Sequence, residues 1–531
     1  MKKYLLNFLN NSGKAEYYLI ALNFLAVLFF ILAGNLKMLP LHPSDFIFFI
    51  GLFLIFALYR PGWSFLFFVG VIPLENINLA PESLGIVVRP YQFFGSLLIL
   101  ALAIRFFSHK INLKLPKFVW QDFLLFLIPF GAFFHLAFSV NKSGGLKMIV
   151  ILLSFCFLYL LTKIYIQDVY DLKKIIPFIL GSSLVVIFYG FWQNILFLHS
   201  LNSFETMPGR PNSTFFEAEW LGMYLLFLLA IVYAFIYYLA KKELKNNGKK
   251  DILTHIFLFL IFALLLITVS RSAWLGAIGA TIFYFFCIFT DFSFDFKKWQ
   301  GVLVLKISAN IAIVFLLSLG SVYLFHLTNF QLFNRAASAG TGLQKITVSC
   351  QKTTALPKKI ADLKELDALA CRQINLEEIS NEKAQDRFIA EIYRSDPNIN
   401  VRSEIYKKAI GQIKLHPFSG IGFEKIPVLL GVDGQGTALN SSNIFLEIWL
   451  GSGIFGFLAF LFFLFYLFFE AIKNIWLKKN LEEKTFGFFV LISGFGIFIF
   501  NLFNTGLMLG AFWAWLGIAT AIKFRNYEYR N

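Results

Sequence analysis

The sequence is poor in cysteine, histidine and acidic residues. Its 531 residues include 4 cysteines and 7 histidines. The cysteines are too sparse for a disulfide-rich scaffold, and the histidines lack metal-ligand spacing, so we expect no metal site and no cofactor. The first 18 residues contain no compact apolar stretch followed by a small-residue cleavage site, so we predict no signal peptide.

Apolar residues are abundant instead. Hydrophobic residues make up 58% of the chain and aromatic residues 19%, more than a soluble domain needs. The apolar runs have roughly the 17–25 residues that cross a bilayer. We therefore predict an all-α fold, a polytopic transmembrane helix bundle of about 12–14 spans. The predicted spans are 17–34, 45–59, 61–75, 91–107, 119–138, 146–166, 175–197, 218–239, 253–270, 272–290, 302–326, 443–470, 485–503 and 506–523. The pair 45–59 and 61–75 reads either as a tight hairpin or as partly re-entrant.

The excess of basic residues follows the positive-inside rule. The net charge of +16 invites a nucleic-acid interpretation, but the lysines cluster in short connections between spans, so we expect no nucleic acid as a partner. With these clusters in the cytoplasm, both termini are cytoplasmic and alternate connections lie outside. The basic clusters are 108–117, 162–174, 241–250, 473–484 and 523–531.

One large polar segment interrupts the apolar pattern. It divides the chain into an N-terminal transmembrane bundle (1–326), an extracytoplasmic loop domain (327–442) and C-terminal transmembrane helices (443–531). The apolar spacing of KKIADLKELDALACRQ (358–373) and VRSEIYKKAIGQI (401–413) predicts helices in the loop domain. Cys350 and Cys371 lie in this domain, and the sequence leaves open whether they form a disulfide.

Three arginines lie at predicted outer ends of apolar hairpins. They are Arg89, Arg210 and Arg271. A guanidinium stays charged at physiological pH and binds phosphate oxygens through two parallel hydrogen bonds. Such residues suit the head group of a polyprenyl diphosphate whose tail lies in the bilayer. Interfacial arginines also bind anionic lipid head groups or anchor a loop, and these alternatives remain open.

Four motifs together resemble one family. TVSRSAWLGAIGA (268–280), RPNSTFFEAEWLGMYL (210–225), VRSEIYKKAIGQIKLHPFSGIGFEKI (401–426) and SSNIFLEIWLGSGIFG (441–456) are similar to the O-antigen ligase and O-antigen polymerase superfamily. Each motif alone is weak, whereas four in order beside one large external loop are fairly specific.

The resemblance implies a GT-C-like, metal-independent glycosyltransferase of the cell envelope. Its donor would be a glycan linked to undecaprenyl pyrophosphate, its acceptor a lipid or another glycan, and its setting the outer face of the bacterial cytoplasmic membrane. By resemblance, Arg210 and Arg271 match arginines that bind the donor diphosphate. Arg402 is a further candidate, although a salt bridge with Glu404 or Asp396 is the alternative.

The sequence departs from the family at one position. Ligases of this superfamily carry a histidine before an asparagine at the span after the large loop, whereas this chain has Ser442 before Asn443. A serine is a poor general base. Glu447 lies one helical turn beyond Asn443, either as the base or as the ion-pair partner of an arginine. His416 reads as structural, because His-Pro ends the preceding helix and Gly420 and Gly422 permit a tight turn.

Ligase, polymerase and transporter therefore remain as functions. A ligase is the leading prediction, and the missing histidine gives some weight to a polymerase. A lipid-linked oligosaccharide flippase would share the number of spans and the basic lining. It should place polar or charged residues deep in the spans, whereas here they gather at the outer ends, and no internal repeat is visible.

Overall fold

Each predicted apolar span corresponds to a helix in the computed structural model. The structure describes residues 13–110, 119–137, 141–242, 248–290, 293, 295–327, 342–351, 356–361, 363–374, 379–395, 397–432, 439–477 and 480–520. The helices before the large polar segment are α1 (Gly13–Asn35), α2 (Pro43–Tyr59), α3 (Pro61–Val71), α4 (Pro90–Phe107), α5 (Trp120–Leu136), α6 (Lys142–Tyr165), α7 (Val169–Leu198), α8 (Ala218–Lys242), α9 (Gly248–Ile267), α10 (Arg271–Thr290) and α11 (Gly301–Leu324). The apolar helices after it are α16 (Ile444–Leu477), α17 (Leu481–Asn501) and α18 (Gly510–Ala519).

The polytopic helical fold predicted from composition is confirmed. Within the described ranges, 10 helices are long and apolar enough to cross a membrane, and four shorter apolar helices complete the set. The short ones are α2, α3, α5 and α18. At 1.5 Å per residue, the 11 residues of α3 reach only about 17 Å, roughly half of the hydrocarbon thickness. Helix α3 therefore does not cross the bilayer by itself, and only Arg60 separates it from α2.

Helix α8 forms the centre of the bundle. Its apolar window is 78% buried, against 22% for α11 and 28% for α1. In water, an apolar helix as exposed as α11 would be unstable, whereas in a bilayer its exposed face meets lipid tails. The enclosed α8 begins directly after the connection that carries Arg210, so that connection adjoins the most buried of the candidate spans.

The large polar segment contains a β-sheet as well as helices. Its strands are β1 (Leu343–Cys350), β2 (Lys359–Ile360), β3 (Cys371–Ile374) and β4 (Phe388–Ser395), and its helices are α12 (Lys364–Ala368), α13 (Ile379–Ala384), α14 (Pro397–Leu415) and α15 (Ile426–Leu430). The strand order is β2-β4-β1-β3, with β1 antiparallel to both neighbours. A helix over 401–413 is confirmed inside α14. The helix predicted over 358–373 is found at α12 and is wrong for β2 and β3. In these strands Ile360 and Cys371 pack into the core of the sheet.

A disulfide joins Cys350 to Cys371, at directly opposed positions of β1 and β3. The bond closes a loop with a sequence separation of 21 residues, which disfavours the unfolded segment by about 3 kcal/mol in the chain-entropy model. Replacing both cysteines with serine should therefore raise the unfolded population of the sheet about 10²-fold.

Limited proteolysis of membranes at low protease concentration measures this population. Cleavage between residues 342 and 395 should accelerate in the double variant. The matched control replaces Cys156 and Cys287, which are buried free thiols in the bundle, with alanine. A cleavage rate that is the same for the double variant and the wild type would contradict the predicted contribution of the disulfide.

Candidate functional site

Four connections meet at one end of the helix bundle. They are 72–89, 199–217, 268–270 and 502–509. The basic clusters lie at the opposite ends of the adjoining helices, so this end is called the outer end, following the charge-based prediction. The first two connections are bonded through Thr214, whose carbonyl accepts from the amides of Glu75 and Asn76 at 2.9 and 3.0 Å. The Thr214 hydroxyl donates to the carbonyl of Pro73 at 2.6 Å.

Arg210 joins the second connection to the turn between α9 and α10. Its Nε donates to the carbonyl of Thr268 at 3.3 Å, and its Nη2 lies 2.5 Å from Oε1 of Glu219. The side chain is 11% exposed. Arg271 begins α10 three residues after Thr268, at the turn between two antiparallel spans, where the sequence predicted it. The structure thus brings Arg210 and the start of the Arg271 helix to the same corner of the outer end.

Arg89 belongs to an internal ion pair. Its Nη1 lies 2.9 Å from Oε2 of Glu75, and it donates to the Tyr91 hydroxyl and the Met508 carbonyl, both at 2.8 Å. The Glu75 carboxylate also accepts from the amide of Gly510 at 2.6 Å. A guanidinium held by a buried carboxylate has less charge to offer a diphosphate. Arg89 therefore ties the first connection to the fourth.

The Glu75–Arg89 pair predicts a stability effect. Glu75 is fully buried and the Arg89 side chain is 14% exposed, so Glu75→Gln leaves a largely buried guanidinium without its counter-charge. Breaking such a pair costs about 3–5 kcal/mol. We expect a lower melting temperature in detergent. Glu82→Gln, in the same connection but exposed, is the control and should melt like the wild type. Equal melting of Glu75→Gln and the wild type would show that the pair adds nothing to stability.

Asn443 caps helix α16. Its Oδ1 accepts from the amides of Phe445 and Leu446 at 2.9 and 3.1 Å, and its Nδ2 donates to the carbonyl of Leu502 at 3.1 Å. Ser442, directly before it, has a φ of 51°, and its carbonyl accepts from the Tyr406 hydroxyl at 3.3 Å. Asn443 thus fixes the start of α16 against the 502–509 connection, as an N-cap does.

The side chain of Glu447 bonds to the segment directly before α16. Its Oε2 accepts from the amide of Ser441 at 2.8 Å, and the residue is 9% exposed. The described residues include no salt bridge to this carboxylate, so the predicted ion pair with an arginine is not found there. The hydrogen bond closes the turn that precedes α16. Glu447 therefore holds the backbone directly before Ser442 and Asn443 in place.

Arg402 lies on α14, the helix that contacts the turn before α16 through Tyr406. Burial raises the pKa of the Tyr406 hydroxyl, and the charge of Arg402 partly opposes this rise. The Tyr406 hydroxyl shares its one proton between the carbonyls of Ser442 and Leu502, both at 3.3 Å. The charge of Arg402 therefore acts close to the turn before α16 and to the 502–509 connection. Glu404, one predicted partner of Arg402, pairs with Lys408 at 2.9 Å. The other, Asp396, lies outside the described residues.

The HPFSGIGF segment (416–423) packs into a break in α16. The amides of Ile421 and Gly422 donate to the carbonyl of Leu450 at 2.7 and 3.2 Å. The helix is interrupted at Gly453, whose φ is 70°. Helix α14 ends at Leu415, and Gly420 and Gly422 have positive φ. The structural role predicted for the His416 segment agrees with this geometry.

Sequence reasoning missed several groups at the outer end. Tyr406 and the Leu502 carbonyl link α14, α16 and the 502–509 connection, but no motif marks them. Thr505, in the same connection, is 6% exposed, and its hydroxyl has no hydrogen-bond partner among the described residues. A buried polar group without a partner is rare. The signal available in the sequence was the polar run NTG (504–506) between two apolar helices.

Three findings complete the description of the site. In the part of the chain that the structure describes, no group of three or more His, Cys, Asp or Glu residues is placed to hold a metal ion. Residues 256–461 match the family model described as O-antigen ligase. A comparison with curated proteins finds no match.

The matched range includes Arg271, Arg402 and the start of α16, whereas Arg89 and Arg210 precede it. It ends inside α16, so the 502–509 connection follows it. The structure brings residues from before, within and after this range to the outer end of one bundle. The match over residues 256–461 confirms the resemblance of this part of the membrane protein to the O-antigen ligase and polymerase superfamily.

Proposed function

We propose that this protein transfers a glycan from undecaprenyl pyrophosphate to a lipid or glycan acceptor at the outer face of the bacterial cytoplasmic membrane. The observation that carries the proposal is the corner formed by Arg210 and the start of α10, where Arg210 bonds the Thr268 carbonyl three residues before Arg271. Both side chains are carried at the outer ends of apolar helices. A polyprenyl carrier would present its diphosphate at this depth.

The departure of the diphosphate requires fixed positive charge near the leaving oxygen. When an acceptor hydroxyl attacks the anomeric carbon, the bond to the diphosphate oxygen breaks and negative charge grows on the leaving group. Guanidinium groups held in a site of low dielectric constant stabilise that charge without reorganising. In the described structure Arg210 contacts Glu219, so the diphosphate must compete with or share this partner. Arg402 is a third candidate contact, and Arg89 acts through the Glu75 ion pair.

A narrow apolar crevice marks the surface that the lipid tail would follow. It lies between the start of α8 and the start of α18. The lining residues include Phe215, Trp220, Met223, Phe227, Phe512 and Trp515. Phe215 and Trp220 belong to the same motif as Arg210. A carrier with its diphosphate at Arg210 would lay its first isoprene units along this apolar surface and leave the rest among membrane lipids.

A transporter accounts less well for the charges. The buried ion pair of Asp122 and Lys163 has a distance of 2.5 Å, but Asp122 is the third residue of α5 and Lys163 lies in the last turn of α6. The pair thus lies at the end of the bundle opposite to Arg210, rather than along a path through its middle. This placement supports a transferase over a flippase.

Reconstitution tests the proposal directly. Proteoliposomes that contain the protein, an undecaprenyl-pyrophosphate-linked oligosaccharide and a lipid acceptor should release undecaprenyl pyrophosphate and form a glycolipid. The release should persist when a chelator is added, because the proposed site uses guanidinium groups. Translocation of intact donor across the bilayer without release would contradict the proposal.

A polymerase is the second candidate, and Ser442 favours it because the ligase histidine is absent there. Deletion of the gene in its host separates the two. Loss of glycan attachment with long chains still on the carrier supports a ligase. Products with a single repeat support a polymerase, and unchanged surface glycans count against both.

A further inference from the structure

The proposed transfer requires a group that accepts a proton, and the carboxylates considered above already have partners. Glu447 accepts from the amide of Ser441, Glu75 pairs with Arg89, and Glu219 pairs with Arg210. A carboxylate that neutralises a guanidinium is a weak base, because the cation stabilises its charged form. The connection that carries Arg210 contains two further carboxylates, Glu205 and Glu217. Glu217 has an interaction partner, whereas one oxygen of Glu205 has no hydrogen-bond partner among the described residues.

Glu205 lies in a tight turn directly before Arg210. Its Oε2 accepts from the amide of Gly209 at 2.7 Å and from the hydroxyl of Ser203 at 3.1 Å. The amide of Arg210 donates to the carbonyl of Met207 at 3.1 Å, which closes the turn. The carboxylate is therefore bonded to the residue that precedes Arg210, at the outer end and outside the spans.

The second oxygen of Glu205 is available. Oε1 is buried and has no hydrogen-bond partner among the described residues. A carboxylate oxygen normally accepts at least one hydrogen bond when it is buried. The residue as a whole is only half-buried, and a hydroxyl would reach Oε1 only after a rotation of the side chain about the contact of Oε2 with the Gly209 amide. An incoming hydroxyl would supply the missing donor.

The protonation behaviour fits a base that works near neutral pH. Burial raises the pKa of Glu205 to about 7, and the Gly209 amide and the Ser203 hydroxyl only partly oppose this rise. No charged side chain in the described chain contributes to the shift. The guanidinium of Arg210 is directed to Glu219 and Thr268 instead. Efficient general bases have a pKa close to the working pH.

We propose that Glu205 is the general base of the transfer, an inference that rests on the proposed function. The acceptor hydroxyl donates its proton to Oε1 of Glu205 as its oxygen bonds to the anomeric carbon. The bond between that carbon and the diphosphate oxygen breaks, and its electron pair stays on the diphosphate. One proton moves to Glu205, and it returns to solvent after the products leave.

Glu205→Gln separates this role from a structural one. The amide oxygen of glutamine still accepts from Gly209 and Ser203, so the turn before Arg210 is preserved, but the side chain no longer takes up a proton. Glu205→Asp keeps the carboxylate on a shorter side chain. Glu82→Gln, an exposed carboxylate of another outer connection, is the matched control.

The experiment measures kcat/KM for transfer in proteoliposomes from about pH 5 to about pH 9. In the wild type and in Glu82→Gln, kcat/KM should rise with pH through about 7, because only the ionised carboxylate accepts a proton. Glu205→Gln should lose about 10²-fold or more of the rate at neutral pH, and its kcat/KM should not show this rise with pH. Its affinity for the undecaprenyl-pyrophosphate-linked donor should equal that of the wild type. Glu205→Asp should recover part of the rate and the rise of kcat/KM with pH.

Two results overturn the inference and leave the proposed function intact. One is a Glu205→Gln variant that keeps the wild-type rate and the rise of kcat/KM with pH. The other is a Glu205→Gln variant that loses rate and donor affinity together but keeps the rise of kcat/KM with pH. That result would indicate a structural effect on Arg210. A wild-type protein that transfers no glycan at any pH, although it binds the donor, instead contradicts the proposed function.

Discussion

Replacement of Arg210 or Arg271 by glutamine should lower the rate of glycan transfer about 10²–10³-fold, the usual cost of removing one preorganised donor to a developing anion. Glutamine keeps the length and polarity of the side chain but removes its positive charge. The loss should appear in kcat, because the guanidinium acts most strongly on the charge that grows as the diphosphate leaves. Lysine at either position should recover only part of the rate, since it lacks the planar pair of donors.

The double variant tests whether the two arginines act on one group. If both bind the same diphosphate, their effects should be non-additive, and the double variant should lose less than the product of the single losses. Arg60→Gln is the matched control, because Arg60 lies between α2 and α3, packed over the rings of Tyr59 and Trp63. A double glutamine variant with wild-type transfer would refute the shared site, as would cysteine labelling that places positions 210 and 271 in the cytosol.

The sequence predicted the helices well because the bilayer imposes their length. Fourteen apolar runs gave fourteen helices, and most ends differ by only a few residues. The largest discrepancy lies at the end of α16, predicted at residue 470 and found at Leu477. Hydropathy fixes where an apolar helix starts to leave the hydrocarbon, but the helix continues as long as its backbone hydrogen bonds and neighbouring helices support it.

The sheet and the break in α16 were harder to predict. The spacing of apolar residues in 358–373 fits a helix, yet a disulfide and pairing with β1 hold Cys371–Ile374 extended. Short apolar runs are ambiguous between the two structures, and long-range pairing decides. Gly453 looks like any other glycine of an apolar span until the 416–423 segment is seen to occupy the space beside it.

The sequence predicted that the three arginines lie at or between helix ends, and the structure has them there. The partners of these groups could not be predicted, because Glu75 lies 14 positions from Arg89 and 435 from Gly510, whose amide it also binds. Whether a polar side chain is already satisfied depends on contacts between distant segments. For the same reason, neither the N-cap hydrogen bonds of Asn443 nor the unpartnered oxygen of Glu205 among the described residues could be predicted from the sequence.

Gly453→Ala should abolish the docking of the 416–423 segment and with it most of the activity. Gly453 has φ 70° and ψ −173°, a region open almost only to glycine, and a side chain there costs about 1–3 kcal/mol. A Cβ atom at this position would also lie 2.0 Å from the carbonyl oxygen of Phe418, a contact that backbone atoms cannot relieve by rotating. Helix α16 would then continue without its break, and the segment would have to move away.

The movement would reach the site through α14. The segment follows directly after Leu415, and Tyr406 of α14 holds the carbonyls of Ser442 and Leu502. Transfer should therefore fall at least about 10²-fold, as catalytic geometry is lost over distances near 1 Å. Protease accessibility of 416–423 should rise in parallel. Gly320→Ala in α11, where a Cβ atom meets nothing within 4 Å, should leave both measurements unchanged. If Gly453→Ala retains activity and protection, the broken helix does not position the site.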